Sequence, residues 1–268
     1  MKKKTLSVLV VYILATVLIT STVFANTQSD PYKTSHIYDG YSYEFISQVR
    51  VGWAGTSKAT VEATARVSCQ EGNTKVGYMG GQARLFNESG NLAAASTFEY
   101  NTSAVATFFV NSPTIKTAGK YYSQSKGRFY NGDGYTEFTG YKSPIQQFDV
   151  PTLTSTINKS VDITADITPI MLLSEYGVND NGETYGSALS EYSIGVEPDL
   201  VSAIGTNGVE GYVRATDLAP NVLSPDEVIE YMNEKGNSQT IPLYADNGTT
   251  VLGEFVLESH YTVMLDAE

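Results

Sequence analysis

Cysteine and histidine are scarce in this chain of 268 residues, and their scarcity excludes several kinds of site. The single cysteine, Cys69, cannot form an intrachain disulfide, so stability must come from packed cores. Cys69 lies in an alternating segment and is expected to be a small buried apolar residue. The two histidines, His36 and His260, lie far apart, and no H-E-x-x-H, Cys/His cluster or G-x-S-x-G is present. We therefore predict no catalytic residue, no metal ligand and no cofactor.

Acidic residues are abundant, but their spacing does not match a calcium-binding loop of the EF-hand type. Such a loop places oxygen ligands at alternate positions before a glycine. The positions before Gly134, Gly182 and Gly248 fail this test. An irregular calcium site remains open at Asp180 or Glu183, or at the pair Asp162 and Asp166.

The amino-terminal region has the composition of an export signal. Three lysines precede an apolar core at residues 6–19, and the small-x-small tripeptide 23–25 follows. This pattern predicts a secretory signal peptide over residues 1–25, with cleavage between Ala25 and Asn26. The alternative is an uncleaved anchor, because the apolar core approaches the length of a membrane span. No later segment has about 18 apolar residues in a row, so we expect no span after cleavage.

Charge differs sharply between the two halves of the remaining chain. Residues 26–150 contain 11 Lys/Arg against 10 Asp/Glu, a net charge of +1, whereas residues 151–268 contain 3 against 19, a net charge of −16. This shift predicts two modules, a β-sandwich domain at 26–150 and an acidic α+β accessory module at 151–268. The acidity disfavours nucleic acid and anionic lipid as partners, because their phosphates would be repelled.

The first half has the period-two alternation of half-buried strands. Residues 59–69 alternate almost perfectly between apolar and polar side chains, and residues 131–134 (Asn-Gly-Asp-Gly) form a strong hairpin-turn signal. Gly80-Gly81 predicts a bulge or bend in the third run. Seven such runs with no helical period predict an antiparallel β-sandwich. The runs are 45–53, 59–69, 75–86, 92–100, 104–110, 120–130 and 135–141.

The segment Ala118-Gly119-Lys120-Tyr121-Tyr122-Ser123 resembles the tyrosine corner of immunoglobulin-like domains. The resemblance implies that the hydroxyl of Tyr121 or Tyr122 bonds back to the corner backbone. Immunoglobulin-type cysteine partners are missing, so the resemblance bears on the sandwich more than on strict topology.

The second half contains the best-defined helix signal of the chain. Ser224 is the expected N-cap, Pro225 takes the first helical position, Glu227 completes a capping box, and Gly236 ends the helix. Alternation at residues 161–168 predicts a strand that opens this module. Two hairpins are also predicted by turn residues between short strand-like runs. Their strands are 200–204 with 211–214, and 240–244 with 250–257.

Several segments of the second half resemble a module that recurs in exported proteins of clostridia and related Gram-positive bacteria. The resemblance implies an exported accessory or sensing module without catalytic residues; the same pattern resembles extracytoplasmic segments of antirepressor-type sensor metalloproteases. Residues 211–214 (Gly-Tyr-Val-Arg) with Asp217-Leu218 also resemble the end of bacterial SH3-like cell-wall modules, or simply form a hairpin's second strand. The segments that resemble the clostridial module are 176–179 with 182–187, 197–205, 208–218, 240–244 and 251–255.

Tyrosine is the residue type that most suggests a binding face, because its ring offers stacking area and its hydroxyl a polar contact. The alternative is that tyrosine simply favours strands and sandwich cores. The candidate binding residues are Tyr121, Tyr122, Tyr130, Tyr135 and Tyr141.

The leading functional hypothesis is a secreted, non-enzymatic protein, extracellular or loosely associated with the cell surface, that binds an unknown envelope or extracellular partner. One alternative is a membrane-active toxin or bacteriocin, suggested by the Ser/Thr/Ala-rich strands at 56–69 and 91–110. Another is a hydrolase with an unrecognised acidic site.

Overall fold

The computed structural model describes residues 26–34, 39–150 and 174–264. The predicted signal peptide, including Ala25, and the predicted strand at 161–168 lie outside the described residues. The described chain is mainly β, and its two short α-helices are α1 (Glu191–Ile194) and α2 (Pro225–Glu234). The strands are β1 (Thr27–Gln28), β2 (Tyr32–Lys33), β3 (Tyr43–Gly52), β4 (Thr60–Cys69), β5 (Met79–Gln82), β6 (Arg84–Asn87), β7 (Leu92–Ala95), β8 (Glu99–Tyr100), β9 (Thr107–Asn111), β10 (Gly119–Ser123), β11 (Lys126–Tyr130), β12 (Tyr135–Thr139), β13 (Gln146–Phe148), β14 (Gly177–Val178), β15 (Thr184–Gly186), β16 (Leu200–Ile204), β17 (Glu210–Arg214), β18 (Ser238–Tyr244), β19 (Val251–Glu258) and β20 (His260–Val263).

The front sheet has the order β1-β3-β4-β9-β20, with β2 also paired to β3. Its longest pair, β3 with β4, is antiparallel and runs from Tyr43 opposite Cys69 to Gly52 opposite Thr60. Alternation turns the apolar side chains of β4 inward, where Val61, Val67 and Cys69 are buried in the core. The apolar face of β4 is thus covered by the opposing sheet.

The opposing layer, the bent sheet, consists of two four-stranded parts with matching order. One part has β13-β10-β6-β7 side by side, and the other has β12-β11-β5-β8. Each strand therefore passes from one part to the other across a short break, such as Ala83 between β5 and β6. The expected interruption at Gly80-Gly81 is wrong in position, because both residues lie within β5. Glycine is needed there for close approach, since a Cβ on Gly80 would lie 2.6 Å from the ring of Tyr100.

Strands from both sides of residue 150 close into a ring. The strands β16, β17, β18 and β19 pair in sequence, and β7 completes the ring by pairing with β16 (Leu92 opposite Ala203) and with β19 (Ala95 opposite Leu257). The ring surrounds a second core, to which Leu92, Val213 and Phe255 belong. The two segments thus share a sheet and a core, while the division at residue 150 stays a prediction about folding units.

Helix α2 follows Ser224, whose Oγ accepts a hydrogen bond from the amide of Glu227 at 3.3 Å. The Glu227 carboxylate accepts from the amide of Leu223 at 2.8 Å, one residue before the partner expected of a capping box. Gly236, with φ of +64°, lies just after the helix end. Val228 packs the helix against Phe98 and Tyr100. Neither this helix nor any other described helix is long and apolar enough to cross a membrane.

The two adjacent tyrosines of β10 face opposite sides of the bent sheet. Tyr121 belongs to the core between the two layers, and its hydroxyl donates to the carbonyl of Thr117 at 2.8 Å, four residues upstream. Tyr122 is also buried, but alternation places it on the outer side.

Candidate functional site

The five candidate tyrosines do not form one face. Tyr121 is a core residue, and Tyr130 and Tyr135 lie opposite each other at the end of the β11–β12 hairpin. The hydroxyl of Tyr135 is already bound to the carbonyl of Gly77 at 2.6 Å. Tyr141 is 42% exposed. Tyr141 lines a cleft together with Lys142. The ammonium of Lys142 lies over the ring of Tyr122.

This cleft, which we call the tyrosine cleft, has a volume of about 440 Å³ and lies where the bent sheet meets the second segment. Two exposed tyrosine rings, Tyr141 and Tyr192, stand at its edge, and Tyr192 is 72% exposed. The residues lining it are Asp30, Gln124, Tyr141, Lys142, Leu189 and Tyr192. They come from four separate stretches of chain, so only the tertiary structure brings them together.

Backbone hydrogen bonds at the bend of the sheet hold the loop that contains Tyr141 and Lys142. The amide of Gly140 donates to the carbonyl of Ser125 at 2.9 Å, and the amide of Ser143 donates to the carbonyl of Ser123 at 2.8 Å. The loop is therefore anchored on both sides of Tyr141.

A hydrogen bond connects the end of β12, directly before this loop, to the helix on the other side of the cleft. Thr139 Oγ1 donates to the carboxylate of Glu191 in α1 at 2.7 Å. Leu189, which lies just before α1, is fully buried in the second core. The ring of Tyr192 is thereby presented from a fixed support, which lowers the entropy cost of binding.

Two polar groups of the cleft have unusual surroundings. Gln124 is 1% exposed, and its amide nitrogen donates to the carbonyl of Gly140 at 3.1 Å, whereas its Oε1 has no hydrogen-bond partner among the described residues. A buried acceptor without a partner lowers the stability of the fold, so a ligand that donated a hydrogen bond to this oxygen would remove that cost. Lys142 Nζ lies 4.4 Å from the ring centre of Tyr122, and burial lowers its pKa because the ammonium loses hydration.

A larger groove of about 680 Å³ lies between the β6–β7 turn and the β16–β17 hairpin. Charged side chains at its rim already have partners, since Glu88 lies 3.7 Å from Lys120 and Glu258 lies 3.5 Å from His260. Tyr121, which also lines this groove, uses its hydroxyl in the hydrogen bond to the carbonyl of Thr117. We therefore favour the tyrosine cleft as the candidate site.

Six charged side chains, the charged junction, connect the outer face of the bent sheet to the second segment. Glu197 accepts from Arg84 Nη1 and from Lys126 Nζ, each at 2.7 Å. Lys126 also donates to Glu137 at 2.8 Å, and Arg128 donates to the same carboxylate at 2.6 Å. The members are Arg84, Lys126, Arg128, Glu137, Glu191 and Glu197.

The surroundings of the junction favour the ionised form of two of its carboxylates, those of Glu137 and Glu197. Burial alone would raise the pKa of Glu197, but Arg84 and Lys126 outweigh burial and hold that pKa below its ordinary value. Burial opposes ionisation of Glu137 in the same way, and Lys126 and Arg128 lower its pKa. Arg84 and Lys126 of the first segment thus pair with Glu197 of the acidic segment, while Glu137 pairs with Lys126 and Arg128 inside the first segment. The junction therefore has a structural role.

The charged junction predicts that acid destabilises the fold. A carboxylate with a lowered native pKa stabilises the folded state above the ordinary glutamate pKa of about 4.3, and this contribution is lost as the pH falls through the native value. Urea unfolding of the wild type and Glu197→Gln at pH 7, 5, 4 and 3 should show their stability difference shrinking below about pH 4.3. An equal difference at pH 7 and pH 3 would contradict this account.

No protein-family model, curated protein or solved structure matches this chain. Function is therefore argued from the chemistry of the tyrosine cleft. The resemblances to clostridial exported proteins, SH3-like modules and immunoglobulin-like domains stay predictions.

Most of the cleft residues could not be recognised in the sequence. Lys142 directly follows the candidate residue Tyr141, and this adjacency is the one feature of the sequence that connects it to the site. Gln124, Asp30 and Tyr192 lie in unrelated stretches without a motif. In the described ranges, no group of three or more His, Cys, Asp or Glu could hold a metal ion.

Some of the calcium candidates lie within the described residues and others lie outside them. The carboxylate of Glu183 is engaged by Arg214 and by the side-chain amide of Asn179. Asp162 and Asp166 lie outside the described residues.

Proposed function

We propose that this chain is an exported, non-catalytic protein that binds an extracellular or cell-envelope glycan in the tyrosine cleft. The observation that supports the proposal is the pair of exposed rings, Tyr141 and Tyr192, beside the buried and unpartnered Gln124 oxygen. A sugar ring has apolar C–H faces and hydroxyl groups at its edge. The tyrosine rings would stack on the faces, and the Gln124 oxygen would accept a hydroxyl proton.

The cleft also suits a ligand at the surface of a cell. It is half open, rests on a backbone anchored by hydrogen bonds, and is built from both segments. Asp30 at its rim adds a carboxylate, an acceptor for further sugar hydroxyls. Secretion, which places the cleft outside the cell, rests on the export signal in residues 1–25.

We further infer that residues 26–150 form an immunoglobulin-like sandwich and that the acidic segment is an α+β module with one capped helix. The corner bond from Tyr121 to Thr117 supports the first part, and the bond from the Glu227 amide to Ser224 supports the second. The membrane-active and hydrolytic alternatives stay untested predictions.

Removing either exposed ring should weaken glycan binding. Tyr141→Ala and Tyr192→Ala are each expected to cost at least about 1 kcal/mol, or about fivefold in Kd, because each removes a stacking face at the centre of contact. Binding is measured by retention of the purified protein on peptidoglycan and other envelope polysaccharides, followed by titration calorimetry with the retained glycan.

The matched control is Trp53→Ala, which removes a ring that is 73% exposed and lies outside the cleft. It should leave the affinity unchanged. Thermal unfolding of each variant separates lost binding from lost folding, which matters for Tyr141 because its ring packs 5.5 Å from that of Tyr32. Absence of binding to every glycan tested, or equal losses in all three variants, would sink the proposal.

A further inference from the structure

Lys142 is unusual among the cations near the junction of the two segments because no carboxylate of the described residues pairs with it. Arg84, Lys126 and Lys235 each contact a carboxylate within 3 Å. Within the described residues, no carboxylate oxygen lies within 4 Å of Lys142 Nζ. Lys142 is partly buried, so within the described residues the tyrosine cleft holds a positive charge that no carboxylate contacts directly.

The ring of Tyr122 helps to set the position of this charge. The ammonium lies 4.4 Å from the ring centre of Tyr122, a cation–π contact that restrains the flexible lysine stem. Tyr122 is itself 4% exposed and belongs to β10, so the restraint comes from a rigid element. Burial lowers the pKa of Lys142 from the ordinary lysine value of about 10.4, whereas the contact with the Tyr122 ring favours the charged form, whose ammonium can donate hydrogen bonds to an anion.

We infer that the glycan recognised in the tyrosine cleft bears a carboxylate, which pairs with Lys142 while the tyrosine rings stack on the sugar. This inference rests on the proposed function, since it names the class of sugar bound at the same site. The ligand is then an acidic sugar of the uronic or muramic type.

Charge on the rest of the chain limits how many carboxylates the ligand can have. The full chain of 268 residues has a net charge of −12, and Asp30 lines the same cleft. A polyanionic glycan would be repelled by this surrounding charge, whereas a single carboxylate reaching Lys142 would gain a charge-assisted hydrogen bond. The favoured ligand therefore has one carboxylate in each recognised unit.

Matched sugars that differ in their carboxylate test the inference. Titration calorimetry of the full protein would compare the disaccharide of N-acetylglucosamine and N-acetylmuramic acid with the disaccharide of N-acetylglucosamine alone, and glucuronic acid with glucose. The acidic member of each pair is expected to bind about tenfold more tightly, since a charged hydrogen bond contributes about 1.5 kcal/mol.

Two variants at Lys142 assign the preference to its ammonium. Lys142→Met keeps an apolar stem over Tyr122 but removes the charge, so the ratio of acidic to neutral affinity should fall to near one. Lys142→Arg keeps the charge and should keep most of the preference. The ratio is an informative readout because a general loss of folding lowers both affinities together.

The outcomes separate this inference from the proposed function. Equal binding of acidic and neutral sugars by the wild type, or a preference that survives Lys142→Met, would overturn the inference and leave the glycan site standing. Binding of neither sugar would remove the proposed function as well. Binding of a free amino acid in place of both sugars would also overturn the inference, because Asp30 and Lys142 would then bind the two charges of a zwitterion.

Discussion

Replacing Glu197 by glutamine is expected to lower the free energy of unfolding by about 3–5 kcal/mol. The reason is that Arg84 is 1% exposed and its guanidinium contacts Glu197 at 2.7 Å, while its Nε and Nη2 have no hydrogen-bond partner in the part of the chain that the structure describes. Glutamine keeps the shape of the side chain but leaves this buried cation without its counter-charge. Urea unfolding at pH 7 measures the effect.

The control for this prediction is Glu88→Gln, which removes the same charge from a surface pair. Glu88 lies 3.7 Å from Lys120 and its side chain is 59% exposed, so the loss should stay below about 1 kcal/mol. In a double-mutant cycle, Arg84→Met with Glu197→Gln should cost less than the sum of the two single losses, because no buried charge is then left unpaired. Additive losses, or equal losses for Glu197 and Glu88, would show that the junction does not stabilise the fold in this way.

Truncating Leu92 to alanine is expected to cost about 2–5 kcal/mol, because it opens a cavity in a core shared by both segments. Leu92 is fully buried, lies on β7 in the first segment, and packs among ring residues such as Val213 and Phe255. Hydrogen exchange should show reduced protection in both segments, since β7 closes the ring of strands. Thermal and urea unfolding give the size of the loss.

Leu223→Ala is the matched control for Leu92. Leu223 is 62% exposed, so its truncation should change stability by less than about 0.5 kcal/mol. If Leu92→Ala lowered exchange protection in the first segment alone, the ring would not couple the two segments.

Local patterns predicted most of the strands. The seven alternating runs of the first half all coincide with described strands, and both predicted hairpins of the second half form. This success follows from the period-two alternation, which is a property of neighbouring residues. Three of the runs, at 75–86, 92–100 and 120–130, are each divided into two strands at the bend of the sheet. Their breaks follow from packing between the layers, which alternation does not describe.

The candidate site was much harder to predict. Of the five proposed tyrosines, only Tyr141 lines the tyrosine cleft. Tyr121 instead packs in the core, and its hydroxyl donates to the carbonyl of Thr117. Composition marked tyrosine as a plausible binding residue without distinguishing a buried ring from an exposed one. Gln124 is recognisable as a binding residue only once its oxygen is seen to be buried without a partner.

The sequence by itself determined the β-rich character of the chain, the positions of most strands and the contrast in charge between its halves. These depend on residue type and near-neighbour spacing. Only the tertiary structure decided that β7 closes a ring with strands of the acidic segment, and that Glu197 meets Arg84 and Lys126 across more than 70 residues of sequence. The tyrosine cleft was likewise decided by the tertiary structure, because contacts between distant segments depend on how whole sheets pack.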